Sequence, residues 1–261
     1  MAFSMDGIVI DRIQYGIAED FSGNVLYTLT QLADAEIAIT AESKEARDAN
    51  GTLIKKFYTG KSGTFTANNA ILDFNILAAA SGTGKQVAGE GDAAFIAPGI
   101  KTIALKDAGT ALELPGVVEG SVSVIGLAGN GSMVKNYVLA TDFQMAEGTL
   151  TLPTTGAEDG VAQFVVKYER TVTSGLKVVN KADEFPKTIK LTLKALAIDV
   201  CSPDTVRSVL IELPSFQVSP EVNLSLATDA TISYSGDLQV SYCDVNGKVL
   251  FNIYFVEEDV E

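Results

Sequence analysis

The sequence predicts a mainly β protein, a β-sandwich or barrel with one flanking helix of about residues 69–80. Three observations predict it. Apolar and polar residues alternate with period two along much of the chain, turn dipeptides punctuate the alternating runs, and just one segment carries helical spacing. With 261 residues and 47% apolar content the chain is long enough to bury a core without cross-links.

The elements follow in order. Ala35 to Thr40 alternates, with Ile37 and Ile39 on one face and Glu36, Ala38 and Thr40 on the other. Glu42 to Gly51 carries five charges and ends in the turn dipeptide Asn50-Gly51, so it reads as a long charged loop. A returning strand spans Leu53 to Tyr58, and Thr64-Phe65-Thr66 is a further one. Next comes the helix, capped by Asn68 or Asn69, with Ile71, Leu72, Ile76, Leu77 and Ala80 at helical spacing and Gly82 to end it. A Gly-rich loop, Ser81 to Gly91, follows. Ser121 to Ile125, Thr149 to Leu152, Gln163 to Tyr168, Thr188 to Lys194 and Glu221 to Leu226 alternate again. Asn246-Gly247, between Leu238–Tyr242 and Val249–Phe255, predicts a C-terminal type I′ hairpin. Residues 1–116 with 173–261 are expected to form the core. Residues 117–172 read as an inserted immunoglobulin-like β region or as further strands of the same sandwich.

Composition excludes more than it assigns. The chain has no His, which removes Ser-His-Asp, Cys-His and His-metal chemistry within one chain. Its 33 acidic residues against 19 basic leave a formal charge of -14, the wrong sign for wrapping nucleic acid through phosphates. The N-terminus lacks the basic and apolar regions of a signal peptide. No apolar run approaches the ~18 residues of a membrane span. A soluble chain made in the cytoplasm is expected, with Cys201 and Cys243 as buried, reduced thiols.

Site motifs fail one by one. Ser81-Gly-Thr-Gly-Lys85-Gln86 lacks the first Gly of a phosphate loop (Ala79 stands there) and the magnesium-holding Ser or Thr after Lys. A paired-carboxylate glycosidase would bring aromatic platforms, and the chain has no Trp. Glu90-Gly-Asp92 and Glu257-Glu258-Asp259 match no calcium loop and read as solvated acids. No catalytic role, cofactor or metal is expected.

The order from Asp34 to Gly82 is an alternating strand, a charged loop with Asn50-Gly51, a returning strand, Thr64-Phe65-Thr66 and a helix. It resembles the N-terminal half of tailed-bacteriophage tail tube (major tail) proteins. The run Leu213-Pro214-Ser215-Phe216-Gln217-Val218-Ser219-Pro220-Glu221, with the strands after it, is similar to the same family. The resemblance covers about two-thirds of the chain, and residues 117–172 depart from it. It implies hexameric rings whose sheets join into an inner barrel and whose stacking makes a hollow tube. By the same resemblance the Glu42 to Lys61 loop contacts the adjacent ring, through Glu42, Lys44, Glu45, Arg47, Asp48, Asn50, Lys55 and Lys56. The loop after the helix, with Lys85, Glu90 and Asp92, bridges neighbours.

Implied partners are further copies of the chain, a tape-measure protein and other tail proteins, with DNA passing unbound and no membrane. The implied location is the virion tail, assembled in the host cytoplasm. Asp34 and Glu36 are lumen candidates, because an acidic wall repels phosphates and lets DNA slide. Capsid decoration or another virion β-protein is the structural alternative. A carbohydrate-binding or adhesin module, expected to cluster exposed aromatics, is the alternative from another class.

Overall fold

The computed structural model describes residues 8–30, 32–69, 73–89, 93–153, 160–199, 202–223, 232–240 and 248–260. Strands dominate them. In chain order they are β1 (Ile8–Glu19), β2 (Val25–Thr30), β3 (Leu32–Arg47) and β4 (Leu53–Asn69), followed by helix α1 (Phe74–Ser81). Then come β5 (Lys85–Ala88), β6 (Phe95–Ala104), β7 (Leu112–Glu113), β8 (Ser123–Leu127), β9 (Met133–Tyr137), β10 (Gln144–Ala146) and β11 (Thr149–Thr151). The last are β12 (Gln163–Val172), β13 (Gly175–Val178), β14 (Thr188–Asp199), β15 (Ser202–Val218), β16 (Ile232–Leu238) and β17 (Asn252–Val260). The expected mainly β class, with a single helix among the described residues, is what the chain adopts.

The chain divides into two compact units, Met1–Lys85 with Val178–Glu261, and Gln86–Lys177. In the first, one antiparallel sheet runs β2-β1-β14-β15-β16-β4-β3, and β17 also pairs with β15. Period two puts Leu191, Leu193 and Ala195 of β14 opposite Leu213, Ile211 and Val209 of β15, all buried on one face. The sheet curls strongly. Tyr27 on β2 and Tyr234 on β16 lie four strands apart, which in a flat sheet is roughly 19 Å. Their hydroxyls nevertheless hydrogen-bond at 2.8 Å. Tyr234 also packs edge-on to Phe65 (centroids 6.3 Å apart) and tilted against Phe216 (5.8 Å), which fills the curl. At Gly236 an added Cβ would lie 2.2 Å from the Gln217 carbonyl oxygen and 2.6 Å from the Phe216 ring, so only glycine fits there.

Helix α1 packs Ile76 and Ala80 into that core. It starts later than the sequence predicts. Neither Asn68 nor Asn69 caps it, because β4 runs on to Asn69, where it pairs with Ile232 and Leu32, and the Asn69 side-chain amide donates to Thr30 O. Asp73 caps it instead, its Oδ1 accepting from Asn75 N at 2.7 Å. Gly82 ends it as expected, in the left-handed conformation at φ 72°. Ile71 and Leu72 lie outside the described residues.

Two further expectations change. Among the described residues β16 and β17 do not pair with each other: β16 pairs with β15 at 216–218 and β17 with β15 at 207–212. The physical reason is length, since the 17 residues of β15 offer room for two partners end to end. Asn246-Gly247, Cys201 and Cys243 lie outside the described residues. The second unit also begins before residue 117, because β6 pairs with β12 along all ten residues.

The second unit is a small sandwich. A four-stranded sheet, β6-β12-β8-β9, and a three-stranded one, β10-β11-β7, share one core. Phe164 and Val166 of β12 and Val124 of β8 meet Leu150 of β11 and Leu114 in it. Because β5 pairs with β13, the chain leaves and re-enters the first unit on adjacent strands.

Candidate functional site

The stretch read as a charged loop is strand almost throughout. β3 continues to Arg47 and β4 starts at Leu53, so only Asp48–Thr52 turns. Among the described residues the outer part of this hairpin is a two-stranded ribbon, since β16 pairs with β4 from Gly63 to Asn69. Cross-strand pairs bring the predicted contact residues together: Glu42 opposite Gly60, Lys44 opposite Phe57, Glu45 opposite Lys56 and Ala46 opposite Lys55. Alternation then sorts them into two faces. One carries Lys44, Lys55 and Phe57, with the Lys55 ammonium 5.1 Å from the Phe57 ring centre. The other carries Glu45, Lys56 and Tyr58, with Lys56 stacked at 5.8 Å over Tyr58. Arg47 binds Glu45 Oε2 through Nη2 (2.6 Å) and Nε (3.1 Å), and donates through Nη1 to Gly51 O (2.8 Å).

The turn is built on Asp48. Its Oδ1 accepts from the backbone N–H of Asn50 (2.9 Å) and of Thr52 (2.7 Å), and Gly51 sits at φ 83°. The β1–β2 turn repeats this chemistry, with Asp20 accepting from Ser22 and Asn24. The Asn24 side-chain amide and backbone N–H hold the Asp20 carboxyl below its ordinary value.

Two properties set the ribbon apart, neither read from the sequence. Residues 41–61 hold five basic side chains (Lys44, Arg47, Lys55, Lys56, Lys61) and three acidic (Glu42, Glu45, Asp48), so this segment is net positive in a chain of charge -14. Its apolar side chains are also uncovered, Ile54 at 68% exposure and Tyr58 at 71%. A ribbon with apolar groups on both faces has no core of its own. The available signal was Lys55-Lys56-Phe57-Tyr58, where like residues side by side place one Lys and one aromatic on each face.

The two lumen candidates differ. Asp34 sits in a bulge at φ 50°, within 3.5 Å of the Asn68 side-chain nitrogen. Glu36 lies on the polar face of the sheet, opposite Thr66, which is opposite Ser235. The next row of that face reads Ala38, Thr64, Asp237, Gln217, Thr188. Hydroxyls and amides dominate there. One charged cluster, missed in the sequence, shares the face: Glu212 accepts from Lys190 Nζ (2.8 Å), Asn252 Nδ2 (3.1 Å) and the Tyr254 hydroxyl (2.9 Å). Hydrogen bonding from Lys190, ahead of that from Asn252 and Tyr254, holds the Glu212 carboxyl below its ordinary range. The bond to Glu212 raises Lys190 and Tyr254 in turn.

Of the loop after the helix, Lys85 donates to Asn75 Oδ1 at 2.7 Å and lines a cleft of about 290 Å³ with Leu26, Tyr27, Ala78 and Lys187. Thr83 donates to Val179 O, so the segment is tied to the returning chain. Glu90 and Asp92 lie outside the described residues. Among the described residues no three His, Cys, Asp or Glu side chains are placed to hold a metal.

The first unit is a curled antiparallel sheet with a projecting ribbon. The chain belongs to the YomU/Tube protein family, whose model matches residues 10–250. The match runs through both units, including the region the sequence resemblance left out. No curated protein matches the chain. Membership identifies a structural protein of the phage tail, and so a component of the virion.

Proposed function

We propose that copies of this chain form hexameric rings that stack into the wall of a tail tube, through which DNA passes. The observation that carries this reading is the β3–β4 ribbon, whose two strands pair only with each other among the described residues and expose Ile54, Phe57 and Tyr58. In the assembly these side chains are covered by a second copy, in the ring below or beside. The polar face bearing Glu36, Thr66, Ser235 and Asp237 lines the lumen, where hydroxyls and acids predominate and Lys190 is held by Glu212, so DNA phosphates find little cationic hold. Subunits gather in the host cytoplasm on a tape-measure protein.

The opposite edge of the sheet suits the ribbon as a seat. Residues 8–30 hold Asp11, Glu19 and Asp20 against Arg12 alone, a net negative segment. Phe21, Val25 and Leu26 are exposed beside them. A positive ribbon and a negative edge, each with uncovered apolar groups, make a heterologous contact that repeats from copy to copy. Lys55→Glu with Lys56→Glu should leave folded subunits that form no tubes in electron micrographs. Adding Asp11→Lys and Glu19→Lys to the same chain should restore association. Tubes of unchanged length and yield in the first variant would defeat the reading, and a ring structure with Glu36 on the outside would defeat the lumen assignment.

A further inference from the structure

Two turns with the same backbone hold an Asn-Gly dipeptide in different ways. In Asp48–Thr52, Asp48 N donates to Thr52 O and Gly51 N to Asp48 O, both at 3.0 Å. In Ala128–Ser132 the equivalent bonds are 2.8 Å and 2.9 Å. Gly51 and Gly131 sit at φ 83° and 84°, so the backbones match.

The first residue of each turn makes the difference. Asp48 supplies the side-chain acceptor for Thr52 N at 2.7 Å. Ala128 has no acceptor, and Asn130 takes that role: its Oδ1 accepts from Ser132 N at 3.0 Å and from Ser132 Oγ at 2.7 Å. The Asn130 amide is therefore pinned toward Ser132. The Asn50 amide, relieved of the job by Asp48, is exposed at the ribbon tip and takes no hydrogen bond from the described residues.

We propose that Asn50 is a self-modification site, converted without an enzyme to aspartate and isoaspartate. The Gly51 backbone nitrogen attacks Asn50 Cγ and a new C–N bond closes a succinimide. The Cγ–Nδ2 bond breaks, and ammonia leaves with the proton lost from Gly51 N. Water then opens the ring at either carbonyl, giving Asp or its isomer with the chain routed through Cγ. Glycine is the residue that leaves the attacking nitrogen least shielded, having no Cβ. The reaction needs release of the glycine N–H from its carbonyl, a bond the two turns share, and rotation of the Asn side chain, which the structure leaves free at Asn50 and which Asn130 lacks. Each conversion adds one negative charge to the ribbon tip and erodes its positive balance. The inference concerns the free chain and stands apart from the tube reading.

The test is peptide mapping by mass spectrometry of the full chain held in mildly alkaline buffer. Asn50 should convert several-fold faster than Asn130. Asp48→Ala, which hands Thr52 N to Asn50, should slow conversion at 50, and Ala128→Asp, which frees Asn130, should speed it at 130. Equal rates at the two sites of the unaltered chain, or no conversion at either, overturns the proposal. An Asn50 rate unchanged by Asp48→Ala overturns it as well.

Discussion

The two halves of β4 are one strand in two environments. From Gly63 to Asn69 it is paired with β16 on one side and β3 on the other, and Phe65 and Ala67 are buried in the core. From Leu53 to Ser62 it has β3 alone among the described residues, and every side chain is exposed. The inner half is held by this chain's own atoms. The outer half keeps its hydrogen bonds but leaves its apolar surface uncovered.

Four measurements would break or sharpen that contrast, taken from the largest effect down. Phe65→Ala, in the inner half, should cost about 3–5 kcal/mol in chemical denaturation, because it empties a fully packed aromatic site. Phe57→Ala, in the outer half, should stay within about 0.5 kcal/mol for the unassembled subunit. Similar losses at both positions would erase the distinction.

Next is the tyrosine pair that spans the curl. Tyr27→Phe should cost about 1–3 kcal/mol, since it leaves the buried Tyr234 hydroxyl without its partner, and the double change Tyr27→Phe with Tyr234→Phe should recover most of it. Burial pushes the Tyr27 phenol up to about 12, against 10 for an exposed one, so its contribution is whole below pH 10 and lost as pH rises toward 12. Melting of the double variant across that range should show a shallower alkaline decline.

Glu212 gives a smaller effect of opposite sense. Its folded value is depressed below 4.5, so its contribution is present above that pH and lost as pH falls through the folded value. Glu212→Gln should flatten the acid limb of stability against pH, and an unaltered limb would make the Lys190–Glu212 cluster energetically idle. Arg47→Ala on the ribbon stands with Phe57→Ala at the small end, since an exposed ion pair is worth under about 1 kcal/mol. Its denaturation midpoint should barely move.

The sequence announced strands wherever one face of a strand is buried. Thr188 to Lys194 and Gln163 to Tyr168 alternate because the core lies on one side of β14 and of β12. The same logic failed at Glu42 to Arg47. A ribbon wetted on both faces has no inside, so its strand leaves no alternation to read, and charge made it look like a loop. Pairings were less legible still. Asn246-Gly247 argued for two neighbouring strands, whereas β16 and β17 both align on β15, a choice fixed by the length of a third strand. Glu212, Lys190, Asn252 and Tyr254 come from three strands far apart in sequence, so no local spacing signals their meeting. Asp34 and Glu36 share one face in a regular alternating strand, and a bulge between Ala33 and Glu36 interrupts that alternation.

The inner half of β4 is also an anchorage. Antiparallel hydrogen bonds run across the strands, so a pull on the ribbon along β4 meets the bonds to β16 sideways and loads them together. A hairpin peeled from its end would surrender them singly. Tension applied at the tip therefore passes into β16, and through it to β15 at the centre of the sheet, as shear shared over many bonds. The projecting ribbon is a lever whose root resists in parallel.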